Sequence, residues 1–141
     1  MRHKNHSTRL GRTASHRKAL MRNMAKSFII NDKISTTVEK AKEFKKIIEP
    51  LITLAKEDSL TNRRRAIQML GVHFNMLTTK EARQAKNGDT SAYNDDRKVV
   101  TKLFAEIGPK FKNRCGGYTR IVLTKVRVGD GAQLCLIECV D

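Results

Sequence analysis

Apolar side chains recur every four residues between positions 15 and 28, which predicts an amphipathic helix. The apolar stripe consists of Leu20, Met24 and Phe28, with Met21 beside it. Basic residues repeat at the same spacing, at Lys18, Arg22 and Lys26. They lie about 200° around the helix axis from the apolar stripe. We therefore expect one face of this helix to pack on a core and the opposite face to form a cationic stripe.

A longer helix is predicted after a turn at 31–32 and a short strand over 33–35. Thr36 and Glu39 have the spacing of a capping box and are expected to open this helix. Its apolar positions alternate spacings of three and four residues: Ala41, Phe44, Ile48, Leu51 and Ala55. Pro50 removes one backbone donor inside the stripe. Because the stripe continues past Pro50, we expect a helix that is bent there but not broken.

Two further helices are predicted in the middle of the chain. Ser59 is placed to cap the first, and Ile67 and Leu70 are expected to point inward. The second ends at Gly108-Pro109, and its apolar face consists of Val99, Val100, Leu103, Phe104 and Ile107. Between these helices, the sequence indicates only a short helix around 79–85 and a turn at 87–89.

The last third of the chain has the pattern of β-structure. Two β-rich runs, over 118–128 and 133–140, are joined by Gly129-Asp130-Gly131 and predict a hairpin with a short glycine loop. In the second run, Leu134, Leu136 and Val140 alternate with Cys135, Ile137 and Cys139. Since both faces of this strand are apolar, we expect it to be central in its sheet.

Together these elements predict an α+β fold of two layers, with several helices packed on a small mixed sheet that ends in a C-terminal hairpin. Residues 1–141 are expected to form a single domain, with an extended basic N-terminal arm at 1–14 and a globular part at 15–141. The arm has one large apolar residue, Leu10, and is too polar to fold in isolation.

Positive charge is concentrated at the N-terminus. The chain has 29 Lys and Arg against 14 Asp and Glu, a net charge of +15. Residues 1–31 hold eight of the basic residues and no acid, so they carry +8, while the other 110 residues carry 21 minus 14, or +7. This distribution indicates a polyanionic partner. Asn, Ser and Thr between the cations of the arm add hydrogen-bonding groups for phosphate and ribose.

No catalytic or metal-binding pattern accompanies this charge. The chain lacks both a GxxxxGK[ST] phosphate loop and a strand-borne GxGxxG motif, and His3 and His6 have no cysteine or acidic neighbour. We therefore expect no enzyme activity, metal, cofactor or small-molecule substrate. Cys135 and Cys139 would lie about 13 Å apart on one strand, too far for a disulfide, which fits a reduced intracellular compartment. No apolar run reaches the ~18 residues of a membrane span.

The candidate RNA-binding residues fall into two sets. The first is the arm with the cationic helix: Arg2, His3, Lys4, Arg9, Arg12, His16, Arg17, Lys18, Arg22, Asn23 and Lys26. The second surrounds an arginine run and a glycine pair further along the chain: Arg63, Arg64, Arg114, Gly117, Tyr118 and Arg120. Paired glycines let a backbone approach a phosphate closely. Tyr118 either stacks on a base or packs as a strand residue, and the residues alone favour neither.

Seven sequence blocks in order resemble the bacterial-type large-subunit ribosomal protein L seventeen family. They are MRH at the start, HRKALMRNMAKS at 16–27, TTVEKAKEFKK and EPLITLAK within 36–56, NRRRA at 62–66, KLFAEIGPKF at 102–111, GGYTRI at 116–121, and RVGDGAQ and IE within 127–138. No single block is decisive, but the ordered set is specific to this family.

The resemblance implies a two-layer α+β fold and a structural role on large-subunit ribosomal RNA near the exit of the nascent-peptide tunnel. It implies a cytoplasmic protein, in the ribosome, with neighbouring large-subunit ribosomal proteins as partners. It also implies that the basic start belongs to the mature protein and is not a transit peptide. Residues at about 71–94 look like an insertion relative to shorter family members.

The residues alone leave three other classes open. They are an architectural DNA-binding protein, an enzyme that acts on nucleic acid, and a membrane-surface helix at 15–28. RNA-versus-DNA competition at fixed salt separates the first of these from an RNA-binding protein.

Overall fold

Helices pack on a three-stranded sheet in the computed structural model, which describes residues 8–140. In chain order the elements are α1 (Ala14–Asn31), β1 (Lys33–Thr37), α2 (Val38–Ala55), α3 (Leu60–Leu70), α4 (Thr79–Lys86), α5 (Asp95–Lys102), a π-helical turn (Leu103–Ile107), α6 (Gly108–Lys110), β2 (Thr119–Val126) and β3 (Gln133–Cys139). The predicted α+β class and the C-terminal hairpin are confirmed.

The sheet has the strand order β1-β3-β2, so the prediction of a central last strand is confirmed. The prediction of a mixed sheet is wrong, because β2 and β1 both run antiparallel to β3, β2 through the hairpin and β1 on the opposite edge. Cys135 and Ile137 of β3 are buried in the core. The three cysteines are free thiols, and burial raises the pKa of the Cys135 thiol.

Helix α2 supplies the centre of the core. Its predicted apolar stripe is confirmed, since all five residues of the stripe are buried, together with Ile52. The ring of Phe44 packs edge-on against Phe28 of α1, with 5.6 Å between the ring centroids. The helix is continuous through Pro50, as expected.

The predicted capping box at the start of α2 is wrong. Thr36 belongs to β1, where it lies opposite Cys135, and α2 begins only at Val38. The N-cap residue Thr37 makes no side-chain cap hydrogen bond. Strand pairing therefore extends two residues beyond the predicted strand, because each further residue of β1 gains a backbone partner on β3.

Helix α1 has a wider buried face than its sequence period predicts. Met21, Ala25, Phe28 and Ile29 are buried, while Leu20 and Met24 of the predicted stripe are only half-buried. The difference arises because α1 contacts α2, α3 and α5 as well as β1, so it packs on several neighbours.

The described end of the predicted arm is not extended. Leu10 and Gly11 both have positive φ, at 55° and 62°, and form a turn. The Leu10 side chain packs on the core, and the hydroxyl of Thr8 donates to Glu43 Oε1 on α2 at 3.0 Å. These contacts fold residues 8–13 back onto the helices. Residues 1–7 lie outside the described part of the chain.

Helix α3 begins where its sequence predicts. The Ser59 side chain accepts a hydrogen bond from the backbone N–H of Asn62, so the predicted cap is confirmed. Leu70 is buried and Ile67 is half-buried. The helix ends at Gly71, whose φ of 58° is in the left-handed region that favours glycine.

Contacts of Arg97 hold the segment between α3 and α5 in place. Its guanidinium donates to Asn75 Oδ1 at 3.0 Å and to the Asn75 carbonyl at 2.8 Å. It also lies over the rings of Phe74 and Tyr93, at 4.8 Å and 5.5 Å from their centroids. Within this segment, the predicted short helix is confirmed as α4, which opens with a Thr78–Glu81 capping box.

The prediction that Gly108-Pro109 ends a helix is wrong. After α5, the backbone N–H of Gly108 donates to the Leu103 carbonyl in an i to i+5 bond, and the chain continues as helix through Pro109 to Lys110. Gly108 has helical φ and ψ of −55° each, so it does not terminate the helix. Its role is packing: a Cβ there would lie 2.2 Å from the Ala55 carbonyl oxygen of α2.

Replacing Gly108 by alanine should therefore destabilise the fold. We expect Gly108→Ala to lower the free energy of unfolding by about 3 kcal/mol or more, because neither backbone can move away without repacking the core. Gly116→Ala is the matched control, since a Cβ there meets nothing within 4 Å; it should change stability by less than about 0.5 kcal/mol. Urea unfolding measures both. Equal effects would show that the α2 contact does not constrain position 108.

Candidate nucleic-acid interface

Two grooves meet beside Met69 on the surface formed by α1, α2 and α3. The smaller, of about 410 Å³, lies between the start of α1 and the other two helices. The larger, of about 890 Å³, lies between α2, α3 and residues 115–118 before β2, and we refer to it as the α2–α3 groove. Because Met69 lines both, the two grooves form adjoining parts of one concave surface.

Basic side chains from three helices line this surface. We define the basic face by six of them: Arg17, Lys18, Lys42, Lys45, Lys46 and Arg65. The carboxylates among the lining residues are Glu43 and Glu49. The excess of cations gives a concave surface a positive potential that attracts a polyanion.

The lysines of the basic face form ion pairs along α2. Lys42 Nζ lies 3.0 Å from Glu39, Lys46 Nζ 2.8 Å from Glu43, and Lys45 Nζ 3.5 Å from Glu49. The Lys42–Glu39 pair is exposed at both ends and contributes about 0–1 kcal/mol, so a phosphate can replace Glu39 at little cost. In the other two pairs the lysine is exposed and the carboxylate mostly buried, so the ammonium group, which has three donors, can meet a phosphate while it stays paired. Arg17, Lys18 and Arg65 have no ion-pair partner within residues 8–140.

Two cations of the predicted α1 stripe hold the fold together instead. Arg22 donates from Nε to the Met69 carbonyl and from Nη2 to the Gln68 carbonyl, each at 3.2 Å. It therefore provides hydrogen-bond donors to carbonyl groups at the C-terminal end of α3. Lys26 Nζ lies 2.7 Å from Asp96 Oδ1 at the start of α5, with both side chains mostly buried. Of the three stripe residues, Lys18 is the exposed one.

Three arginines of the second predicted set also make contacts within the protein. Arg63 forms a bidentate pair with Asp58, and its guanidinium lies 5.0 Å from the centroid of the Phe104 ring. Arg120 pairs with Glu138 across the hairpin at 2.8 Å. Arg114 Nε donates to the Gly116 carbonyl at 3.3 Å. Each of these arginines is therefore already in contact with a partner within the protein.

The structure favours packing over base stacking for Tyr118. Its side chain is only 2% exposed, and its ring lies 5.2 Å from that of Phe111, measured between centroids. The Tyr118 hydroxyl accepts a hydrogen bond from Thr53 Oγ1 at 3.4 Å. Gly117, with φ of 63°, borders open space and leaves its backbone accessible.

The remaining predicted residues lie at the surface or outside the described chain. Arg9, Asn23 and Arg64 are exposed, and Arg12 donates to the ring of exposed His16 one turn later in the chain. The predicted site residues Arg2, His3 and Lys4 lie outside the described residues.

The sequence-based prediction left out three residues of the basic face, Lys42, Lys45 and Lys46, whereas Arg65 belongs to the predicted arginine run. A signal for the three was present, because the lysines follow the spacing of three and four that places residues on one helix face beside the buried stripe. Their proximity to Arg17 and Lys18 depends on the packing of α1 against α2, which the local pattern does not contain.

Neighbouring donors hold two carboxylates in the ionised form, Glu43 beside this surface and Asp96 at the start of α5. A hydrogen bond from Lys46, together with the Thr8 hydroxyl, lowers the pKa of Glu43. Burial raises the pKa of Asp96, but hydrogen bonds from Lys26 and the His73 N–H outweigh it, and the net shift is downward.

Within residues 8–140, no group of three or more His, Cys, Asp or Glu side chains has an arrangement suited to a metal ion. The same residues contain no helix with the length and apolar character that crossing a bilayer requires.

Comparisons with known proteins relate this chain to a family of ribosomal proteins. The family model for ribosomal protein L17 matches residues 20–140. The chain is 54% identical over 138 residues, 98% of this chain and 97% of the relative, to large ribosomal subunit protein bL17 of Protochlamydia amoebophila (strain UWE25). The same protein of Chlamydia pneumoniae is also 54% identical, with the same coverage of both chains. That of Chlamydia trachomatis serovar D is 51% identical, covering 98% of each chain.

Removing the Arg22 guanidinium should weaken the fold, whereas removing the Lys18 amine should not. We expect Arg22→Met to lower the free energy of unfolding by about 1–2 kcal/mol, because two carbonyls at the end of α3 lose charged donors. Lys18→Met, one turn earlier on α1, should change it by less than about 0.5 kcal/mol. Urea unfolding of both variants at equal salt provides the test. Equal losses would contradict the structural role of Arg22.

The Asp96–Lys26 pair should make stability depend on acid pH. Since the fold lowers the pKa of Asp96, its carboxylate stabilises the folded state above about pH 4 and loses that contribution as pH falls further. The free energy of unfolding should fall more steeply between about pH 5 and pH 3 in the unmodified protein than in Asp96→Asn. Asp95→Asn, which removes the neighbouring exposed carboxylate, is the control. Parallel curves for the unmodified protein and Asp96→Asn would contradict this assignment.

Proposed function

The chain belongs to the ribosomal protein L17 family, and from this membership we propose that it is a structural constituent of the large ribosomal subunit that binds large-subunit ribosomal RNA through its basic face. The role is structural and not catalytic. Within the cytoplasmic ribosome, we place the protein near the exit of the nascent-peptide tunnel, beside other large-subunit ribosomal proteins, as the family resemblance implies.

The observation that carries the RNA-binding proposal is the separation of two kinds of basic residue. Arg22, Lys26 and Arg63 are held by partners inside the protein. Within residues 8–140, Arg17, Lys18 and Arg65 have no such partner, and they lie along one concave surface with Lys42, Lys45 and Lys46 of α2. A folded protein keeps such uncompensated charges together at a cost in self-repulsion, which a polyanionic partner relieves.

The mode of recognition follows from the chemistry of this surface. Arginine offers planar paired donors to phosphate, and lysine offers a compact charge. Few aromatic side chains are exposed, since aromatics make up 5% of the chain and Tyr118 is buried. We therefore expect the protein to recognise the shape and phosphate spacing of RNA more than its base sequence. Arg2, Lys4 and Arg9 precede α1 in the sequence and add to the positive charge of the N-terminal segment.

Neutralising two unpaired cations of the basic face should weaken RNA binding in a salt-dependent manner. For Arg17→Gln with Lys18→Gln, we expect the slope of log affinity against log salt to become less steep by about 2, one unit per lost phosphate contact. The control is Lys40→Gln with Lys80→Gln, which removes the same charge away from the basic face. Binding of the full chain to large-subunit rRNA is measured between 50 and 200 mM salt, where the effect is on the order of tenfold or more.

Equal changes in slope for the two double variants would show that net charge alone drives binding, and would contradict the proposed interface. Equal affinity for duplex DNA and rRNA at fixed salt would favour an architectural DNA-binding protein instead. In cells, a buried ribosomal component should sediment with large subunits after a high-salt wash, and complete release by that wash would contradict a structural place in the subunit.

A further inference from the structure

The α2–α3 groove has the size of a ligand site. Its volume of about 890 Å³ lies in the range of about 300–1,000 Å³ that is typical of small-molecule and cofactor pockets. Apolar side chains from three elements form part of its lining: Pro50, Leu54, Met69 and Ile121. The groove therefore offers an apolar surface on an otherwise strongly charged side of the molecule.

Contacts to the core hold the wall of the groove beside residues 115–118 in place. Lys56 Nζ donates to the Arg114 carbonyl at 2.8 Å and lies 5.9 Å from the centroid of the Tyr118 ring. The hydrogen bond from Thr53 to the Tyr118 hydroxyl joins the same wall to α2. Since these contacts are made within the isolated protein, the groove exists before any ligand enters.

The charge of the groove selects a polyanion over a neutral ligand. Four cations line it, Lys42, Lys45, Lys46 and Arg65, against one lining carboxylate, Glu49. Lys42 and Lys46 also pair with Glu39 and Glu43, so within residues 8–140 Arg65 is the lining cation without an ion-pair partner. Glu49 uses Oε1 for both of its contacts, accepting from Thr119 Oγ1 at 3.2 Å and pairing with Lys45 at 3.5 Å. The carboxylate is thus already compensated, and the lining keeps a net positive charge.

An apolar surface between exposed cations matches the chemistry of an unstacked nucleotide. A base presents two apolar faces, while the phosphates on either side of it carry the charge. In a double helix the base faces are covered by their neighbours, so only a single-stranded or bulged nucleotide can occupy the groove. An acidic peptide would also pair with the cations. It would place a large apolar group on the apolar lining only if its sequence carried a suitable side chain at that position.

We infer that the α2–α3 groove binds one unstacked nucleotide of single-stranded RNA, with its base on the apolar lining and its flanking phosphates on Lys45 and Arg65. This inference rests on the proposed function, because it takes the bound polyanion to be ribosomal RNA. It adds a recognition mode to the phosphate contacts of the basic face, namely selection for a single-stranded site.

Cys115 provides a reporter inside the groove. It is exposed and lines the groove, whereas Cys135 is buried and Cys139 is half-buried. Alkylation of Cys115 by a maleimide in the full-length protein therefore measures whether the groove is occupied. A Cys115→Ser variant identifies the signal of this thiol, because it removes the fast-reacting site.

Three RNA probes of equal length test the inference: a cytidine decamer, the same decamer with abasic sites at its central positions, and a duplex. We expect the cytidine decamer to slow Cys115 alkylation several-fold at saturation. The duplex, whose base faces are covered, should slow it less, because it contacts the basic face only from outside the groove. The abasic decamer should bind about tenfold more weakly, because it keeps the charge and loses the apolar contact of the base with Pro50, Leu54 and Met69. Lys45→Gln should reduce protection by the decamer, and Lys40→Gln, on the same helix outside the groove, should not.

The outcomes separate this inference from the proposed function. If the full chain binds large-subunit rRNA but the decamer leaves Cys115 alkylation unchanged, the groove does not hold a nucleotide, although the proposed function stands. Equal affinity for the intact and abasic decamers would overturn the inference in the same way. If an acidic peptide protects Cys115 and RNA does not, the groove binds a protein segment and the inference is wrong. If the chain binds no rRNA at all, the proposed function fails as well.

Discussion

The fold depends on the burial of one face of α2. Its apolar stripe contacts α1, α3, α6 and all three strands, so each layer of the molecule packs on this helix. The tightest constraint is at the C-terminal end, where the Ala55 carbonyl lies so close to Gly108 that no side chain fits between them. The same helix carries Lys42, Lys45 and Lys46 beside the buried stripe. The rotation of α2 that buries the core therefore also sets the position of the basic face.

Net charge alone does not identify the residues that meet a polyanion. Several basic side chains in this protein complete helix ends or join elements: Arg22 at the end of α3, Lys102 at the end of α1 and Lys26 at the start of α5. Carbonyl groups at helix C-termini carry partial negative charge, so cations are favoured there without any ligand. The charge left for a partner is that of the basic face and of the exposed residues near the start of α1.

Much of the fold was predictable, because its signals are local. The stripe of α2, the Ser59 cap, the hairpin loop and the central position of β3 depend on spacings within a few residues of one another. The errors occurred where tertiary contacts override a local signal. Thr36 is placed in β1 by its pairing with Cys135, and the glycine at 108 serves the close approach of α2 and not the end of a helix. Of the candidate site, the unpaired Arg17 and Lys18 were predicted, whereas the α2 lysines were not.

The sequence by itself determined the fold class, the presence of a cationic helix opposite a core-facing stripe, the need for a polyanionic partner and the resemblance to a ribosomal family. Only the tertiary structure decided which cations are free. The contacts that decide it join distant parts of the chain, since Arg22 and Met69 are 47 positions apart and Lys102 and Asp32 are 70 positions apart. The groove beside Met69 likewise needs α2, α3 and residues 115–118 to meet. Periodicity reports which face of a helix is buried, but it carries no information about which distant group lies against that face.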